Sequence, residues 1–215
     1  MAPLPAAAGI PRRTQSAALN ALFPLPAAVI LAAVAAVACG RGTAASEPPR
    51  LFALPEFTLV ERSGRPATLA ALRGRPWIAD FIFTRCAGAC PAMTARMAAL
   101  RARLAGAPVR FVSFSVDPGT DTPEVLARYA AAAGAGADWW FVTGPMSDLH
   151  ALSTEGFKLA AMANTPGAET ADGPFLHSSK FVLVDGEGAV RGYYDSEDDT
   201  ALRVLEADAR RLASR

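Results

Sequence analysis

The segment Phe81-Ile82-Phe83-Thr84-Arg85-Cys86-Ala87-Gly88-Ala89-Cys90-Pro91 carries the pattern from which the rest of the chain can be read. It closes a continuous apolar run from Trp77 to Phe83, broken only by Asp80, which predicts a central strand buried on both faces. Pro91 suits the first turn of a helix, where the amide that proline lacks has no intrahelical partner. Met93, Met97, Leu100 and Leu104 then recur at helical spacing, and Gly106 to Pro108 stops them. A strand therefore delivers the chain to a loop, and two cysteines sit where the next helix begins. Free amide N–H groups and the helix dipole favour negative charge at that end, which predicts lowered thiol pKa values, with Arg85 as a further positive neighbour. If Cys90 stands on the first turn, Cys86 lies about one turn away, and both sulfurs can face one point.

Outward from this segment the pattern is α/β. Phe57 to Val60 and Thr68-Leu69 flank Ser63-Gly64 and predict an N-terminal hairpin. Val109 to Val116 is a second core strand, Asp117-Pro118 a turn, and Thr122-Pro123-Glu124 the start of a helix reaching about Ala132. Trp139 to Val142 reads as a short strand, Met146 to Leu152 as a short helix, and Phe157 to Met162 as a further strand. Asn164 to Pro174 is a polar loop rich in Gly and Pro. Phe181 to Val184 and Val190 to Tyr194 form a second hairpin around Gly186 and Gly188, and a helix from about Asp199 to Leu212 follows. Such units specify a mixed sheet with helices on both faces. A cysteine pair between the first core strand and its helix narrows this to a thioredoxin-like fold.

The first fifty residues read differently. Arg12 and Arg13 precede a nearly pure apolar run from Leu25 to Ala38, about 14 residues long, which suits a secretory signal better than a full transmembrane span of roughly 20. Ala36-Val37-Ala38-Cys39-Gly40 resembles a bacterial lipoprotein signal, with Cys39 as the lipidation site, although Ala36 stands where that motif prefers Leu. The competing reading is an uncleaved anchor. Either way, positive charge ahead of the apolar run predicts export, with the domain in the periplasm or another extracytoplasmic space and tied to the cell membrane. Residues 1–38 are thus expected to be a signal or anchor, 39–50 a flexible tether, and 51–215 the folded domain. The formal net charge of +1 and the lack of any basic run exclude a nucleic-acid binder.

Of the three cysteines, Cys39 is the odd member. Cys86 and Cys90 remain as a pair for an oxidising compartment, open to three readings: a stapling disulfide, a redox-active dithiol, or two thiolates on a soft metal. The first closes only a small loop and gains little chain entropy. The pair alone does not separate the other two. His150 and His177 are the two histidines. His150, in Ser147-Asp148-Leu149-His150, reads as a surface residue. His177 lies just ahead of the strand beginning at Phe181, in a loop that in a thioredoxin-like fold faces the cysteines across the top of the sheet, where an imidazole can reach both sulfurs. Met93 and Met97 read as core, and Asp117 as the residue that closes its turn and caps the next helix.

Thr84-Arg85-Cys86-x-x-x-Cys90-Pro91, Ser115-Val116-Asp117-Pro118 followed by Asp121-Thr122-Pro123, and His177-Ser178 before an apolar strand together resemble the Sco/SenC family over roughly Leu51 to the C-terminus. The resemblance implies an anchored copper protein that assists assembly of the dinuclear copper centre of cytochrome c oxidase. It also implies Cys86, Cys90 and His177 as the metal ligands. The family commonly has Pro and Asp between its cysteines, whereas Ala87-Gly88-Ala89 fills the gap here. Thiolates select soft metals such as Cu(I), and imidazole accepts Cu(I) and Cu(II) alike. Zinc prefers four ligands, of which water or Asp117 could supply the last. The implied role is a copper chaperone with a copper donor protein, a copper-receiving oxidase subunit and a thiol reductant as partners. The alternative is a thiol-disulfide oxidoreductase in which Cys86 and Cys90 form the redox-active pair, and a third is a peroxidase-like redox sensor.

Overall fold

The computed structural model describes residues 46–159, 162–163, 175–176 and 178–215. Among them, eight strands form one mixed sheet. They are β1 (Phe52–Ala53), β2 (Thr58–Glu61), β3 (Pro66–Thr68), β4 (Trp77–Ile82), β5 (Arg110–Ser115), β6 (Trp139–Thr143), β9 (Lys180–Val184) and β10 (Ala189–Asp195), in the spatial order β1-β10-β9-β4-β5-β6-β2-β3. The short pair β7 (Met162–Ala163) and β8 (Phe175–Leu176) lies apart from it. Helices are α1 (Leu69–Leu72), α2 (Ala89–Arg103), α3 (Pro123–Ala132), α4 (Met146–Ala151), continued by a π-helical turn over Leu152–Gly156, and α5 (Asp199–Ala213).

The centre of the sheet is parallel, β4 with β5 and β5 with β6, while β9 runs antiparallel to β4. Parallel strands joined by helical crossovers end up covered on both faces, so every residue of β4 and of β5 is buried. Alternation along β4 divides the core. Ile78 and Ile82 pack with Phe111, Leu183 and the inner faces of α2, α3 and α5. Trp77, Ala79 and Phe81 pack with Phe114, Val184 and Phe157. On that second face the Phe81 and Phe114 rings stack at 5.3 Å, and Phe157 meets Phe81 edge-on at the same distance. Each such ring, fully buried, contributes about 2–3 kcal/mol. The expected N-terminal hairpin is present as β2–β3, with Gly64 in the left-handed region at φ 81°.

The stretch after α4 differs from the sequence expectation. The apolar content of Phe157 to Met162 predicts a strand, yet Phe157 caps the π-helical turn through its N–H to Leu152 O at 2.8 Å. Lys158 then turns the chain at φ 54°, and Leu159 N–H returns to Ser153 O. Phe157 is buried as a plug against Trp77 and Phe81, so its apolar character served packing at a helix end. The loop over 164–174 lies outside the described residues, as do residues 1–45 with Cys39. No helix among the described residues is long and apolar enough to cross a membrane. At the start of the domain, Arg191 of β10 pairs with Glu47 at 2.7 Å and donates from Nε to Pro48 O at 3.0 Å.

Candidate functional site

The loop from Phe83 to Gly88 leaves the C-terminal end of β4 and enters α2, whose N-cap is Gly88. Cys90 therefore occupies the first turn and Pro91 follows it, as their spacing predicts. Cys86 N–H donates to Phe83 O at 3.2 Å, and Cys90 N–H points at Cys86 Sγ at 3.4 Å. Both cysteines are buried, Cys86 at 6% and Cys90 at 0% exposure, so the pair lies at the top of the α2-side core and beneath the surface. Met93 and Met97 complete that core, as expected of them.

Electrostatics at the pair depart from the sequence reading in one respect. A helix N-terminus was expected to lower both thiol pKa values. Burial instead pushes the Cys90 thiol well up, and its hydrogen bond to Cys86 and the negative charge of Cys86 and Asp80 add to the rise. The Phe83 backbone opposes this without reversing it. In this form Cys90 holds its proton, and ionisation needs a compensating positive charge such as a metal ion.

Asp121, Asp117 and Arg85 frame the loop. The Asp121 carboxylate, fully buried, accepts from Thr84 N–H (3.2 Å), Thr84 Oγ1 (2.5 Å) and Ser115 Oγ (2.6 Å). It ties the cysteine loop to the end of β5. The sequence predicts Asp117 as the helix cap, but the cap of α3 is Thr122, whose Oγ1 accepts from Val125 N–H. Asp117 closes its turn through its backbone carbonyl, which accepts from Thr120 and Asp121 N–H. Its buried carboxylate accepts from Arg85 at 3.0 Å (Nε) and 2.6 Å. Arg85, with 57% of its side chain exposed, so answers Asp117. Asp121 stands inside a sequence motif, but its spacing alone assigns it no role. Its signal is a buried-strand serine and a threonine two residues before Cys86, both converging on one acid.

His177 lies outside the described residues. Its neighbour Ser178 accepts from Lys180 N–H at 3.3 Å where β9 begins. The β4–β9 register (Ala79 opposite Val182, Ile78 opposite Leu183) runs β9 from the sheet end at which β4 releases the cysteine loop. His150 is exposed on α4. Among the described residues no group of three or more His, Cys, Asp or Glu side chains has a metal-holding arrangement.

The fold and the dithiol define the class: a thioredoxin-like domain with a C-x-x-x-C pair at the start of its first core helix. The sequence model of SCO1/SenC matches residues 46–212, and the chain belongs to that family. A SCO1 protein homolog of Bacillus subtilis is 34% identical over 176 residues, which cover 80% of this chain and 89% of the homolog. Two solved structures align at 32% identity and a TM-score of 0.67. One is a SCO1/SenC family lipoprotein from Bacillus anthracis, with 75% of this chain and 95% of that chain covered. The other is BsSco, a member of the Sco family of cytochrome c oxidase assembly proteins that has a disulfide switch, with 79% and 98% covered. Arabidopsis thaliana ScoI, solved with copper bound, shares the fold at 23% identity and a TM-score of 0.63 over 74% of this chain and 98% of its own.

Proposed function

We propose that this protein is a copper chaperone that holds one copper ion through the thiolates of Cys86 and Cys90 and the imidazole of His177. It passes that ion to the copper-receiving subunit of cytochrome c oxidase. The observation that carries the reading is the approach of Cys90 N–H to Cys86 Sγ at the first turn of α2, with the two thiols within hydrogen-bonding reach of each other, which puts two soft donors side by side. Its support is the start of β9, three residues beyond His177, at the same end of the sheet. Family membership and the copper-bound relative agree with it. Two thiolates with one Cu(I) carry a net negative charge, which the N-terminal amides of a helix favour.

The thiols must be reduced to bind, so a thiol reductant acts before loading and a Cys86–Cys90 disulfide is the empty form. The protein is anchored at its N-terminus, by lipid on Cys39 or by the uncleaved apolar segment, with the domain outside the cytoplasm; the related lipoprotein supports this. Titration of the reduced domain with Cu(I) tests the ligand set. One equivalent binds the parent tightly, and Cys86→Ser or Cys90→Ser abolishes this. His177→Ala weakens it, and undiminished affinity in that variant removes the imidazole from the site. Oxidase assembly that survives Cys86→Ser in cells refutes the chaperone role. Disulfide reduction of the target by a protein that binds no copper would instead establish the oxidoreductase.

A further inference from the structure

The two ends of the sheet differ in what they carry. The cysteine loop leaves β4 after Ile82, so the start of β4, where Trp77 lies opposite Arg110 of β5 and Val184 of β9, is the end far from the dithiol. The chain enters the domain at that far end. Arg191 of β10 holds Glu47 at 2.7 Å, Arg211 Nη1 donates to Ser46 O at 3.3 Å, and Arg215 pairs with Glu47. Beside these contacts opens a cleft of about 490 Å³, lined by Arg50, Arg75, Arg191 and Arg215 and by three carboxylates, Glu47, Asp185 and Glu187.

Charge is divided between the ends. Helices α2 and α5 start at the dithiol end and finish at the far end, with Arg101 and Arg103, and Arg210 and Arg211, in their last turns. Helix dipoles account for those four. They do not account for Arg50, Arg65 and Arg75, which are exposed and stand on no helix. Arg65 follows the β2–β3 turn, which the antiparallel pairing of β2 with β6 directs to the far end. Arg50 meets Glu187 at 2.9 Å in an exposed pair. Arg65 donates to Ser63 Oγ at 3.0 Å, and neither it nor Arg75 has an ion pair among the described residues. The Arg75 charge makes the buried Arg110 guanidinium harder to keep protonated, so two cations lie close enough to repel. The dithiol end instead exposes Glu124 at the start of α3, and Glu197, Asp198 and Asp199 where α5 begins.

We propose, on the reading that the chain is anchored through its N-terminal segment, that this arginine-bearing end docks on the anionic phospholipid surface of that membrane and turns the dithiol away from the bilayer. Guanidiniums grip phosphate oxygens through paired N–H donors. The exposed arginines are spread over the start of the domain, a hairpin turn and the loop before β4, an array that suits a field of headgroups better than one small anion. The segment leading back to Cys39 departs from this same end. Each arginine close to an anionic bilayer strengthens association by about fivefold, and the effect fades beyond a Debye length.

The test reconstitutes the full chain with vesicles of phosphatidylcholine, with or without phosphatidylglycerol, and follows flotation and hydrogen exchange. With phosphatidylglycerol at low salt, peptides over 62–66, 73–76 and 185–188 exchange severalfold more slowly than on phosphatidylcholine alone, and 195–199 is unchanged. High salt abolishes the difference, as does Arg65→Glu combined with Arg75→Glu, which breaks no ion pair. Arg128→Glu, an exposed reversal midway along α3, leaves the difference in place. Equal exchange of the parent chain on the two lipids overturns the proposal, whatever the variants do. Flotation separates docking from anchoring. A chain that floats with both vesicle types at high salt is anchored; one that floats only with phosphatidylglycerol and only at low salt docks without an anchor; one that floats with neither refutes both.

Discussion

Replacing Asp80 by Asn should stabilise this domain at neutral and alkaline pH while leaving it unchanged in acid. The carboxyl is wholly buried, and its pKa rises from 3.8 to about 7 because burial disfavours the charged form. The folded state thus holds the proton more tightly than the unfolded chain. The stabilisation this provides is complete below about pH 4 and is lost as pH climbs to about 7, above which both states are deprotonated and the slope vanishes. A shift of about three units at about 1.4 kcal/mol per unit corresponds to roughly 4 kcal/mol. No discount for solvent screening applies to a group with no exposed surface. For a domain of about 170 residues that difference moves Tm by about 10 °C. The assay is thermal or urea unfolding of parent and variant at half-unit intervals from pH 4 to 8.5. The difference between the two curves should open between pH 4 and 7 and stay constant above. A variant no more stable than the parent at pH 8 would show that the buried carboxylate is compensated, and the argument from its isolation would fail.

Three further outcomes are expected, two from the geometry of the cysteine loop and one from the N-terminal sequence. Asp121→Ala strands Thr84 N–H, Thr84 Oγ1 and Ser115 Oγ without their acceptor, and should destabilise the domain by about 3 kcal/mol in chemical denaturation and loosen the cysteine loop in hydrogen exchange. Arg85→Ala removes a mostly exposed partner from Asp117, so unfolding measurements should register about 1 kcal/mol or less. Cys39→Ser, if the residue is lipidated, should release the protein from membranes on fractionation and remove the acyl mass seen by mass spectrometry.

Much of the architecture was legible because each core strand announces itself by period and composition. Trp77 to Ile82 is apolar on both faces, Arg110 to Ser115 nearly so, and Thr122-Pro123 marks its helix start. The stretch from Phe157 was misread because a short apolar run has the same composition whether it is a strand or a plug behind a helical turn; the left-handed turn at Lys158 decides that, and composition does not reveal it. Asp117 was misassigned for a related reason. An Asp before Pro is a good cap candidate by local rules, but a guanidinium 32 positions away captured its carboxylate.

From its residues alone, the candidate chemistry is legible: two cysteines four positions apart at a strand-to-helix junction offer a pair of soft donors, one in the loop and one on the first helical turn. The depth of that site was decided only by the tertiary fold. Cys90 holds its proton because three helices and a sheet close over it, and Asp80 is uncharged in mild acid because the same packing takes its carboxyl out of water, which Ser113 on the next strand offsets only in part. Solvation is a property of the packed assembly, and no local pattern of residues specifies how much water a side chain keeps.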